Sequence, residues 1–101
     1  MASRLSLQTM LEELLGSRNV YYQPPASVRM NYPAIVYSRK AIDNLHANNG
    51  VYGQFNAYDV TVIDPNPDSE FIAKVSKLPT CKFDRHYEKD NLNHDVFTLY
   101  Y

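Results

Sequence analysis

The chain has 101 residues, 45% of them hydrophobic and 21% charged, with a formal net charge of −1. That length fits a single domain, residues 1–101, which buries about two-thirds of its unfolded surface around one modest core. A charge near zero argues against strong nonspecific binding to nucleic acid, which depends on neutralising phosphates, and no stretch reaches the roughly 20 apolar residues that span a bilayer.

The first predicted element is a short helix. Leu7, Met10, Leu11, Leu14 and Leu15 follow i, i+3, i+4, i+7, i+8 spacing, with Glu12 and Glu13 facing away. Ser3 or Ser6 is placed to cap its start, and Gly16 to take the left-handed conformation that ends it. A short strand over Asn19–Gln23 is stopped by Pro24-Pro25, and a second, Ala34–Lys40, follows Pro33. Residues 41–57 read as an irregular segment. Asn48-Asn49-Gly50 is a turn signal, and Gly53, Gln54 and Asn56 interrupt any clean alternation. Such a long connection is expected to be a mobile functional loop that becomes ordered on a partner.

From Tyr58 the alternation tightens, with Tyr58, Val60 and Val62 on one face and Asp59, Thr61 and Ile63 on the other. Asp64-Pro65-Asn66-Pro67 breaks this strand. Asp68 or Ser69 then caps a second helix, in which Phe71, Ile72, Val75 and Leu78 form one stripe and Pro79 ends the run. Glu70 near its start and Lys74 and Lys77 near its end agree with the helix dipole. Two more strands follow around Lys89-Asp90-Asn91. In the first, Cys81, Phe83, Arg85 and Tyr87 alternate against Lys82, Asp84, His86 and Glu88; in the second, His94, Val96, Thr98 and Tyr100 alternate against Asp95, Phe97, Leu99 and Tyr101. The order α-β-β-β-α-β-β implies an α+β fold: a mostly antiparallel sheet of about five strands with two helices packed on it.

Candidate chemistry is sparse. Asp84, His86, His94 and Asp95 fall on neighbouring strands, but His94 and Asp95 must point to opposite faces, and no metal-ligand motif of firm spacing is present. The single cysteine, Cys81, excludes an internal disulfide and reads as a small buried hydrophobe. None of Gly16, Gly50 and Gly53 belongs to a phosphate-binding loop. No catalytic residue, cofactor site or metal site is therefore assigned. Met1-Ala2-Ser3-Arg4 lacks the apolar run of a signal peptide, so the chain is expected to be soluble and made in a reducing cytoplasm.

The chain's most informative compositional feature is nine tyrosines with no tryptophan. Tyrosine couples a large apolar ring to a hydroxyl, which suits surfaces that are dry on assembly and tolerable when wet. Charge is also uneven: residues 1–40 carry five Lys/Arg against two Glu, a net of +3, and residues 41–101 carry five against nine Asp/Glu, a net of −4. Tyr21, Tyr22, Arg29, Arg39, Tyr52, Tyr100 and Tyr101 are accordingly the candidate assembly-interface residues. A tyrosine-bearing sheet can also stack bases, but Asp59, Asp84, Glu88, Asp90 and Asp95 crowd the later strands where cations would be needed.

Particular segments carry a resemblance. Tyr21-Tyr22-Gln23-Pro24-Pro25, Tyr32-Pro33-Ala34-Ile35-Val36-Tyr37, Ala47-Asn48-Asn49, Tyr58-Asp59-Val60-Thr61-Val62-Ile63-Asp64, Phe83-Asp84-Arg85-His86-Tyr87 and the stretch from Asp90 to Tyr101 resemble small head–tail junction proteins of long, flexible-tailed phages and prophages. In length and element order the chain is similar to tail terminator (tail completion) proteins, from about Leu7 to Tyr101. The resemblance implies a noncatalytic virion protein that forms a homo-oligomeric ring, typically a hexamer. Such a ring caps the tail tube protein, ends tube polymerisation and docks to a head–tail connector protein, with DNA passing unread through the lumen and no membrane partner. A head-completion or connector adaptor on the portal side is the neighbouring alternative. From another class, the alternative is a small metal-dependent or nucleic-acid-binding enzyme.

Overall fold

The computed structural model describes the backbone of residues 4–47 and 50–101, and the side chains of 4–40 and 56–101. Its elements run α1 (Arg4–Leu15), β1 (Val20–Tyr22), β2 (Ala34–Ala47), β3 (Gly50–Asp64), α2 (Glu70–Ser76), β4 (Cys81–Lys89) and β5 (Leu92–Tyr100). The five strands form one sheet in the order β1-β2-β3-β5-β4, antiparallel except for the parallel β1–β2 pair. This is the expected α+β architecture.

Both helices cover one face of the sheet. Leu7, Leu11 and Leu15 of α1 and Val75 of α2 are buried against Val20, Ile35, Tyr37, Tyr58, Val60, Val62, Phe97 and Leu99. Strand register produces this core, since Ile35 lies opposite Val62, Tyr37 opposite Val60 and Val60 opposite Phe97, so alternate residues stack as apolar rows. Burying each large aliphatic side chain stabilises the fold by roughly 1.5–3 kcal/mol.

Polar bonds fix α1 in place. Arg4 Nη1 donates to Tyr37 Oη at 3.3 Å, and the Tyr37 hydroxyl donates to Gln8 Oε1. Burial raises the Tyr37 phenol above its ordinary value, and Arg4 opposes that shift.

Local chemistry sets the element ends. Gly16 has φ +77° and donates its N–H to Glu12 O at 2.9 Å, closing α1 as expected. Ser6 lies inside α1 rather than at its cap, and Ser3 is outside the described residues. Ser69 caps α2, its hydroxyl accepting from Phe71 N at 3.3 Å. Asp90 and Asn91 take φ of 55° and 63°, the left-handed pair that a two-residue hairpin turn requires.

Two expectations are corrected. The stretch 41–57 is not an irregular loop: β2 continues to Ala47, and β3 begins at Gly50 and pairs back along it, with shifts at Arg39/Ala41 and Leu45/His46. The gaps in side-chain alternation do not prevent pairing, because each backbone's groups are satisfied by the other. Asn48 and Asn49 of the turn signal lie outside the described residues.

The second correction concerns β4. Its register shifts between Phe83 and Arg85, leaving Asp84 as the bulged residue. Cys81 and Phe83 lie opposite Leu99 and Phe97 on the helix-covered side, whereas Arg85 and Tyr87 lie opposite Val96 and His94 on the other. One extra residue has exchanged the faces, so Arg85 and Tyr87 do not continue the row of Cys81 and Phe83.

Candidate assembly surface

β3 pairs with β5 only from Ala57 to Asp64, and β1 meets β2 only from Ile35 to Tyr37. Beyond Ala41 and Asn56, whose backbone carbonyl still accepts the Tyr101 N–H at 2.9 Å, β2 and β3 continue with no other strand partner among the described residues, as a two-stranded arm. Seven residues at about 3.3 Å each give an arm roughly 23 Å long. The molecule as a whole measures 50 × 23 × 23 Å, so the arm matches the width of the body from which it springs. From 41 to 55 the only formally charged residue is Asp43, and the sequence includes Ile42, Leu45, Val51, Tyr52 and Phe55. Charge depletion of this kind marks the centres of protein interfaces.

At the opposite side of the sheet, β4 has β5 as its one strand partner among the described residues, and every residue from Lys82 to Lys89 is exposed. Phe83 is 51% and Tyr87 41% exposed. Because of the bulge these two aromatics project to different faces. Phe83 meets Phe97 edge-on with centroids 5.5 Å apart, and Tyr87 stacks on His94 at 4.6 Å and 12°. Two concavities adjoin the start of β4 near the base of the arm. A polar one of about 280 Å³ is lined by Lys40, Lys82, Phe83, Asp84, Thr98 and Tyr100. An apolar notch of about 200 Å³ lies among Met10, Leu78, Pro79, Leu99 and Tyr100.

The tyrosines divide between core and surface. Tyr37 and Tyr58 are fully buried, which their place in alternating strands explains. Tyr22 is half-buried, 4.9 Å from Tyr37, with the Arg4 guanidinium 4.5 Å from its ring centroid. Tyr101 is half-buried, and its hydroxyl lies 2.7 Å from Ser6 Oγ. Tyr21 is half-buried, and its hydroxyl accepts from Asn31 N at 3.3 Å. Tyr32 and Tyr100 are each 39% exposed. Arg29 is exposed, and Arg39 is exposed with its guanidinium 6.0 Å from the Tyr58 ring centroid. The side chain of Tyr52 lies outside those described, although its backbone is in the arm. The candidate interface residues thus do not form one patch: Tyr22 and Tyr101 serve their own subunit's packing, while Arg29, Arg39 and Tyr100 face outward.

The His/Asp constellation is dispersed. His86 Nδ1 donates to the buried Asp95 carboxylate at 2.7 Å, Asp84 instead pairs with Arg85 at 2.9 Å, and His94 is on the other face beside Tyr87. No three His, Cys, Asp or Glu side chains are grouped to hold a metal ion among the described residues. Cys81 is half-buried and burial pushes its thiol up, which disfavours the nucleophilic thiolate. No helix among the described residues is long and apolar enough to cross a membrane.

Sequence reasoning missed the arm and the exposed β4 edge as a pair. The available signal was an Asn-Asn-Gly turn centred in a nearly uncharged stretch. No protein-family profile and no curated protein sequence matches this chain.

Proposed function

We propose that this protein is a noncatalytic component of a phage virion, a tail terminator whose copies close into a ring at the head–tail junction. The ring caps the tail tube, ends its polymerisation and presents a docking surface to the head connector. A hexamer is the copy number the resemblance implies. The observation that carries this reading is the presence of two unlike unpartnered features, a weakly charged arm and an exposed strand edge. A contact between unlike patches repeats from copy to copy and yields a ring when the rotation closes. The exposed aromatic surface of β4 and Tyr100 adds large contact area.

Purified protein mixed with tail tubes tests the proposal. Capped tubes of arrested length, with the protein at one end in electron micrographs, are expected. Tubes that keep growing while the protein binds isolated portal-side connectors would favour the adaptor reading instead.

A further inference from the structure

We propose that the arm of one copy adds as extra strand to the free outer edge of β4 in the next copy, joining their sheets across the subunit boundary. The inference rests on the ring-forming reading and specifies which surfaces meet. Outside their mutual ladder, the arm strands beyond Asn56, whose carbonyl accepts the Tyr101 N–H, have no strand partner among the described residues, and neither has the outer edge of β4. A two-stranded ribbon alone is marginal in water, whereas a third strand gives it lasting order. An exposed edge is in turn a template for an incoming strand.

Length and composition agree. The arm supplies about seven residues a side and β4 spans Cys81–Lys89, so one arm strand runs along most of the edge. An arm as long as the 23 Å width of the body reaches across a neighbour rather than merely touching it. The Asp84 bulge places Phe83 on one face of β4 and Tyr87 on the other, so the incoming strand meets an aromatic on either side. Lys82, Asp84, Arg85, Glu88 and Lys89 surround that edge with both signs of charge, and a nearly neutral arm meets them without like-charge repulsion.

Pairing of β4 with β4 would use the same patch twice and stop at a dimer; arm-to-edge pairing continues from copy to copy. A single arm strand covers only a few hundred Å², below the roughly 800 Å² per partner of a stable complex. Single contacts are therefore transient, and the assembly is held by ring closure.

Cross-linking between two preparations tests this pairing. In a Cys81→Ser background, one preparation carries Tyr52→Cys in the arm, and the other carries Phe83→Cys or Tyr87→Cys on β4. A short bismaleimide at high protein concentration is expected to give dimers joining unlike variants, confined to the mixtures. Products from the β4 variants alone, from the arm variant alone, or no product in the mixtures would each overturn the proposal. Arm-to-edge products from a protein that does not cap tubes would leave the strand pairing intact and remove the head–tail reading. Capped tubes without those products would remove the pairing and retain the reading.

Discussion

Two buried tyrosines of the same sheet make opposite predictions on losing a hydroxyl. The Tyr37 hydroxyl donates to Gln8 and accepts from Arg4. The Tyr58 hydroxyl is buried with no partner at hydrogen-bond geometry among the described residues, and the Arg39 guanidinium that interacts with it is exposed and solvent-screened. Removing a satisfied buried hydroxyl costs about 1–2 kcal/mol, because the partner is stranded as well. Removing an orphaned one relieves a desolvation penalty of about 1–3 kcal/mol, offset in part by a void one oxygen wide. Tyr37→Phe is therefore expected to destabilise by about 1–2 kcal/mol and Tyr58→Phe to stabilise by about 0.5–2 kcal/mol. For a domain of this size 1 kcal/mol corresponds to about 4–8 °C in Tm, so the two variants separate by roughly 6–30 °C. Urea titration with unchanged slope, together with calorimetry, reads the difference. Equal destabilisation by both substitutions would refute the hydrogen-bond assignment at the core. Alkaline titration adds a second readout. Because the folded-state phenol of Tyr37 is raised, its contribution is complete below about pH 10 and is lost as pH rises through the folded value. Tyr37→Phe should lack that part of the alkaline decline.

Further outcomes are equally specific. Gly16→Ala meets no steric obstacle around the new Cβ but must hold φ +77°, so it should cost about 1–2 kcal/mol in denaturant titrations, from backbone strain alone. Cys81, its thiol raised by burial, should be alkylated by iodoacetamide at pH 8 more slowly than the same residue in urea-unfolded protein; equal rates would contradict its burial. Charge reversal of the exposed Arg29 and Arg39 to Glu should weaken ring assembly at low salt, read by light scattering, and the difference should shrink at high salt. Leu11→Ala, at a fully buried position on α1, should destabilise by about 2–5 kcal/mol by calorimetry.

How much was legible in the sequence varied with how many signals agreed. α1 could be read because the leucine spacing and Gly16 agree, and α2 because Ser69 and Pro79 flank an apolar stripe that includes the buried Val75. β3 and β5 were clear from Tyr58 and His94 onward, where one buried face imposes a strict two-residue period. The arm was obscured because Gly53, Gln54 and Asn56 interrupt the two-residue period in the sequence, while pairing is carried by the backbone. The β4 bulge was invisible for a different reason. A regular alternation from Cys81 to Tyr87 says nothing of an extra residue, and only pairing with β5 shows that Asp84 is skipped. Of the candidate surface, aromatic richness was evident from composition. Which tyrosines pack inward was not, since Tyr37 and Tyr100 carry the same ring and differ only in what lies opposite.

The register shift at the root of the arm, between Arg39 and Ala41, gives one position leverage over architecture. A bulge bends and twists the ribbon that leaves it. On a lever about 23 Å long, a 10° change of exit angle displaces the tip by about 4 Å, close to the spacing of neighbouring strands. Lys40 thus sits where insertion or deletion of one residue would redirect the arm, and with it every joint and the central opening of the proposed ring.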